Sequence, residues 1–313
     1  MEWYVWVPII LVVFFILVMG YVTAKSLYHP KRLTLDASRA KENVRSPGLM
    51  DIYDTWDIET FWIDTQQSIR LKAYFLPAEV DNNRYVVIAH GYSYTHHGAI
   101  KYARMMNELG FHVLMYDERY HGESEGDMCT MGHLEQHDLY DAISYLYERF
   151  GPDIILGTYG ESMGAATAIL EHQFDDRVQF VISDCGFADL RMLLTYLYRL
   201  RHLPKYPFIW AADLCFYWKT KVRLRALSPI EAVKRAKVPM LFMHGESDRF
   251  IPKDHSIKMH EVCPTTKGLL IAPNAADHTE ASRKNPELYR EVLKDFLMKI
   301  QMITNNKEGG KHD

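Results

Sequence analysis

Cysteine is scarce in this chain, and what there is forms no pattern. The four residues, Cys129, Cys185, Cys215 and Cys263, include no C-x-x-C pair and no regular spacing. A chain of 313 residues needs no covalent staples; a disulfide scaffold is excluded, and free thiols in a reducing compartment are expected. Basic excess is lacking too: 36 Lys and Arg stand against 40 Asp and Glu, a formal charge of −4. That disfavours nucleic acid as a partner, since its binding draws on a strongly positive face. The chain has no phosphate-cradling glycine loop, no dinucleotide fingerprint, no internal repeat and no low-complexity tract. These absences remove the common nucleotide-binding and repeat classes.

Charge is missing from one whole stretch. From Trp3 to Val22 no residue is charged, and most side chains are large and apolar. At ~1.5 Å per residue such a helix reaches roughly 30 Å, enough to cross the hydrocarbon of a bilayer. Pro8 stands near its start, where a missing N–H costs least. Trp3, Tyr4, Trp6 and Tyr21 suit the two interfacial belts. Val22-Thr23-Ala24 would also suit a signal cleavage site, but Glu2 and the absence of an upstream Lys or Arg speak against a signal peptide. A retained membrane anchor over residues 1–24 is expected. Lys25, Lys31, Arg32, Arg39, Lys41 and Arg45 follow it, so the positive-inside rule places the rest of the chain in the cytoplasm.

Beyond the anchor, residues 25–51 are polar, basic and weakly patterned, and read as a juxtamembrane linker with some helix. Residues 56–64 and 69–76 are rich in β-branched and aromatic side chains, as in an antiparallel hairpin. Short apolar runs at 85–89, 112–116, 154–157, 178–183, 239–243 and 268–271 then alternate with helical stretches at 100–109, 134–150, 165–174 and 255–262. Leu288, Val292, Phe296 and Ile300, spaced by four, mark a last helix. This order predicts one α/β domain over 52–303, a mostly parallel sheet with helices on both faces. Residues 187–227 carry no strand signal and are expected to form a helical lid over the carboxyl ends of the strands. The polar tail 304–313 is expected to be disordered.

Gly160-Glu161-Ser162-Met163-Gly164 has the form G-x-S-x-G, with an apolar strand before it and Ala165-Ala166-Thr167-Ala168 opening a helix after it. That context is the nucleophile elbow, a sharp turn that projects a serine hydroxyl from the sheet. A serine needs a base and an orienting acid, which follow such an elbow in the order acid, then histidine. Asp248 lies just beyond the strand at 239–243, and His278 just beyond the strand at 268–271. Among the rivals, His90 and His121 precede the serine. Glu246, Asp277 and Asp184 compete with Asp248 for the acid. The oxyanion hole needs two convergent N–H donors; Met163 supplies one, and Tyr92, in the loop His90-Gly91-Tyr92, is expected to supply the other. His133 and His137 share a helix face but lack a third metal ligand, so no metal is assigned.

His90-Gly91-Tyr92, the run from Asp117 to Ser124, the GESMG elbow, the Asp248 loop and His278 together resemble the α/β-hydrolase superfamily. The likeness is to its serine aminopeptidase-like and monoglyceride-lipase-like branch, which includes membrane-anchored bacterial members. It spans about 56–303. It implies that fold and hydrolysis of an ester, thioester or amide through an acyl-enzyme, for which no cofactor is expected. It also implies that Arg119 and His121 are structural supports. Tyr120 departs from the pattern, standing where relatives often have Gly. Between residues 191 and 225, eight basic residues face one acid, Asp213. The lid then reads either as a basic amphipathic surface resting on anionic lipid, favouring lipophilic acyl substrates, or as a solvated face over an ordinary lid core. Ester hydrolysis is the expected activity. Aminopeptidase, with Glu161 receiving the substrate ammonium, and thioesterase are the enzymatic alternatives; a ligand-binding scaffold is the non-enzymatic one.

Overall fold

The structure, a computed structural model, describes residues 3–304, so the 304–313 tail lies outside the described residues except for Thr304. The chain opens with helices α1 (Trp3–Tyr28), α2 (Leu35–Arg45) and α3 (Leu49–Tyr53). There follow strands β1 (Glu59–Asp64), β2 (Arg70–Leu76) and β3 (Arg84–Ala89), helix α4 (Ile100–Glu108), β4 (His112–Tyr116) and α5 (Glu135–Phe150). Next come β5 (Ile155–Glu161), α6 (Met163–Glu171), β6 (Phe180–Asp184), α7 (Leu190–Leu200), α8 (Phe208–Thr220) and α9 (Pro229–Val233). The chain closes with β7 (Met240–Gly245), α10 (Asp254–Val262), β8 (Lys267–Ala272), α11 (Ala281–Lys284) and α12 (Pro286–Lys299).

All eight strands join one sheet in the order β1-β2-β4-β3-β5-β6-β7-β8. β1 pairs antiparallel with β2, and β2 with β4, while every pair from β4 to β8 is parallel. The parallel strands β3, β4, β6 and β7 are buried on both faces, which is why they read as unbroken apolar runs. One face packs α3, α4 and α12 through residues such as Met106, Tyr289 and Phe296; the other packs α5, α6 and α10 through Leu139, Ile169 and Met259. A third apolar cluster lies beyond the strand ends. It joins Ala24, Leu27 and Tyr28 of α1 and Leu194, Phe208 and Phe216 of the lid to Met163 of the elbow.

The N-terminal segments differ from the sequence expectation. The first helix continues past residue 24 to Tyr28, because Ala24, Leu27 and Tyr28 are buried against the domain. Nor is 25–51 a linker. Thr34 caps α2 by accepting from the Ala37 N–H at 3.2 Å. Glu42 is fully buried, accepts from Arg283 at 2.5 Å and from the Tyr94 hydroxyl at 2.7 Å, and so docks α2 on the domain. Partners so distant in sequence leave no local pattern. β5 also runs four residues beyond the apolar stretch that marked it, carrying Tyr159 and Glu161 into the interior.

Candidate active site

The elbow sits where β5 ends and α6 begins, at the carboxyl edge of the sheet. Ser162 has φ 56 and ψ −110, a conformation a side chain adopts only when the surroundings impose it. Its own N–H donates to the Asp184 carbonyl at 2.8 Å, which ties the turn to β6. Both glycines of the motif are required by contact: a Cβ on Gly160 would overlap the Gly164 carbonyl, and one on Gly164 would overlap the Ala89 carbonyl of β3.

The structure brings Ser162, Asp248 and His278 together. The Ser162 hydroxyl lies 3.0 Å from His278 Nε2, and His278 Nδ1 lies 2.7 Å from Asp248 Oδ2. Asp248 follows β7 and His278 follows β8, adjacent parallel strands whose end loops meet over the elbow. Asp248 also accepts the Phe250 and Ile251 N–H groups at 2.9 and 2.8 Å, and His244 Nε2 approaches Oδ2 at 3.1 Å. Burial pushes this carboxyl up, but the hydrogen bonds and charges of His244 and His278 outweigh it and hold the group well below the usual carboxylate range. The acid is therefore ionised and its oxygens are saturated with donors. Of the rivals for the acid, Glu246 is exposed, and the other two are engaged elsewhere. Asp277 receives the N–H groups of Arg249 and its neighbour His278 at 3.1 and 2.8 Å, and Asp184 receives the Tyr102 and Tyr289 hydroxyls, both at 2.8 Å.

Met163 is the first residue of α6, so its N–H has no acceptor within the helix. The 90–92 loop passes beside the nucleophile, with an ideal Cβ on Gly91 only 3.6 Å from Ser162 Cβ. Two buried histidines brace that loop. His121 is oriented by the Arg119 carbonyl at 2.9 Å and accepts the Ser93 N–H at 3.1 Å. His90 is oriented by the Gly91 carbonyl at 2.8 Å and accepts the Glu118 N–H at 2.9 Å. Burial, helped by the charge of His121, lowers the His90 pKa to about 4, so it stays neutral and can serve as acceptor. Arg119 forks onto Asp138 at 2.5 and 2.6 Å. Tyr120 has φ 65, the left-handed region that glycine adopts most easily. Its ring receives the Arg32 guanidinium at 4.3 Å and its hydroxyl meets His29 Nδ1 at 2.9 Å, so it clasps the segment after α1.

Glu161, next to the nucleophile, turns inward. It pairs with buried Lys101 and accepts the Tyr102 hydroxyl at 2.7 Å. Burial would raise its pKa, but the charges of Lys101 and Arg283 win and bring it to about 2. A cavity of about 480 Å³ opens at Ser162, lined mostly by apolar residues of α1 and of 187–203, and among the described residues the charged one in its lining is Arg201.

Cys185, Asp248 and His278 place one potential metal-ligand atom each within 4.8 Å of one another. They fit a metal poorly: burial pushes the Cys185 thiol well up, and the Asp248 and His278 atoms are bonded to each other. His133 and His137 are not in this group, and His137 stacks on Phe174 with centroids 5.1 Å apart. Sequence reading missed His244, whose signal was its place at the end of β7, four residues before Asp248. It also missed the α1 residues that reach the cavity, which no local pattern marks.

Comparison with known proteins agrees with the fold. A family profile described as serine aminopeptidase, S33, matches residues 81–194. The Bacillus subtilis uncharacterized protein YqkD is 29% identical over 285 residues, covering 90% of this chain and 93% of that protein. The Saccharomyces cerevisiae uncharacterized membrane protein YNL320W is 24% identical, covering 90% of this chain and 94% of its own. Among solved structures, the Pyrococcus furiosus esterase Pf2001 superposes with a TM-score of 0.62 at 20% identity, over 78% of this chain and 93% of that one. With this sheet and this elbow the chain has the α/β-hydrolase fold, and over residues 81–194 it is similar to the serine aminopeptidase family, S33.

Proposed function

We propose that the protein is a membrane-anchored serine hydrolase that cleaves carboxylic esters with lipophilic acyl groups. The observation that carries this reading is the Asp248–His278–Ser162 hydrogen-bond chain, whose serine lines a largely apolar cavity. Ser162 Oγ attacks the ester carbonyl carbon while its proton passes to His278 Nε2. The carbonyl π pair moves onto oxygen, where the Tyr92 and Met163 N–H groups stabilise it. Collapse breaks the bond to the alkoxide, which takes the proton from His278 and leaves as an alcohol. Water, deprotonated by the same imidazole, then releases the acid. Asp248 stays ionised throughout and holds the Nδ1–H, fixing the tautomer and supporting the imidazolium.

The lining chemistry favours an acyl chain over a peptide N-terminus. An ammonium would need a carboxylate, yet Glu161 is consumed by Lys101 and Tyr102, and the charged residue that lines the cavity is a cation. Membrane attachment is supported by the Trp6–Tyr28 part of α1, 23 residues long and apolar enough to cross a bilayer. Beside it, α8 exposes Trp210, Leu214, Tyr217 and Trp218, one stripe at helical spacing. Aromatic residues in that setting suit the lipid interface, and the basic residues after the anchor support a cytoplasmic domain. Fluorophosphonate labelling tests the hydrolase reading: wild type is labelled and Ser162→Ala is not, and a panel of esters shows a medium-to-long acyl optimum. Unlabelled wild type would defeat it.

A further inference from the structure

We propose that the anchor helix is itself a wall of the acyl site, so that α1 residues set which acyl chains are accepted. Met19, Val22, Thr23, Ser26 and Leu27 of α1 line the same cavity as Ser162, facing Leu194 and Tyr198 of α7. These residues recur at helical spacing, so one face of the carboxyl-terminal part of α1 turns toward the cavity. Its outer residues, such as Phe14 and Val18, remain exposed.

The wall is held in place by specific contacts. Gly20 lets α1 lie against α8, with an ideal Cβ on Gly20 only 2.5 Å from Ala211 Cβ and 2.9 Å from the Ala212 nitrogen. Across the cavity rim, the Thr23 hydroxyl meets the Tyr198 hydroxyl at 2.5 Å. The Tyr92 hydroxyl donates to the Ser26 carbonyl, which links α1 to the loop beside the nucleophile. The Cys129 N–H donates to the Tyr28 carbonyl at 2.9 Å. Further along, Arg32 donates to the Tyr120 carbonyl at 2.8 Å. A mere tether would need none of these. With Ser162 at one end and α1 along one side, an acyl chain in the cavity lies against the membrane helix. The cavity's lipid-side wall is thus the helix that enters the bilayer.

This inference rests on the ester-hydrolase reading only for its turnover readout. The test uses the full chain held in amphipol, with two readouts: binding of cis-parinaric acid to Ser162→Ala protein, and the acyl-length profile of 4-nitrophenyl esters on protein with Ser162 intact. Thr23→Phe narrows the cavity; it is expected to weaken parinarate binding about tenfold and to move the ester optimum to shorter chains. Leu27→Ala widens it and moves the optimum to longer chains, a direction general destabilisation would not produce. Phe14→Ala, on the outer face, changes neither readout. If Thr23→Phe and Leu27→Ala leave both binding and chain preference at the parent values, the wall is refuted. If no ester is turned over while parinarate binding still responds to Thr23→Phe, the wall stands and the hydrolase reading falls.

Discussion

Asp248 accepts from two backbone N–H groups and His278, and it also meets His244, which in turn reaches Ser256 Oγ and the Ile251 carbonyl, both at 2.7 Å. In the proposed mechanism His244 is a positioning residue, acting on the base through the acid. A hydrogen bond to a charged group contributes about 1.5–3 kcal/mol, so His244→Gln is expected to lower kcat by roughly 10- to 100-fold. KM for a short soluble ester should be unchanged, and steady-state kinetics separates the two. Glu161 gives a pH prediction. Its folded pKa, about 2, lies below its ordinary value of 4.5, so its ionised form stabilises the fold above the ordinary value. That contribution is lost as pH falls through the window toward the folded value. Breaking a buried pair costs about 3–5 kcal/mol. Glu161→Gln should thus melt well below wild type at neutral pH, and the gap should shrink as pH falls from about 4.5 toward 2. A gap that is constant with pH in thermal melts would contradict the assignment.

At the scale of elements, the elbow owes its shape to packing against its neighbours as much as to its own five residues. α6 can approach β3 only because Gly164 has no side chain, and the small residues Ala165, Ala166 and Ala168 continue the close fit. The α1–α8 contact follows the same rule. Gly20→Leu would push the helices apart; overpacking of this kind costs about 1–3 kcal/mol. The expected result is a lower melting temperature for full-length protein, together with loosened selectivity for acyl length. Unchanged melting would show that the two helices do not pack as described. The elements differ in how readable they were. Strands covered on both faces announce themselves as apolar runs, and the hairpin by its β-branched alternation. The apolar run that marked β5 ends at Gly157, whereas the strand continues, buried, to Glu161. α2 read as a linker because its fixing contacts, Glu42 to Arg283 and Arg45 to Thr279 at 2.6 Å, join residues over 230 positions apart.

Taken whole, the molecule places Ser162 between the carboxyl edge of the sheet and a helical cover that includes its own membrane-spanning candidate. The meeting of Ser162, Asp248 and His278 was legible because successive strand ends bring a serine, an acid and a histidine together in that chain order. His244 and the α1 lining were not, since nothing local distinguishes a cavity-facing Thr23 from any other residue of an apolar helix. The helices of 187–227 showed as a gap in strand signal, but the exposed stripe from Trp210 to Trp218 emerges only once α8 has a defined inner face. The central claim is that Ser162 carries the acyl group between the two half-reactions. The direct measurement is rapid acid quenching during turnover of 4-nitrophenyl decanoate, followed by peptide mass spectrometry. The account predicts a decanoyl adduct on the Ser162 peptide, more abundant in His278→Ala protein when acylation is driven by excess ester and deacylation is slowed. An adduct on another residue, or turnover without an adduct on Ser162, would contradict it.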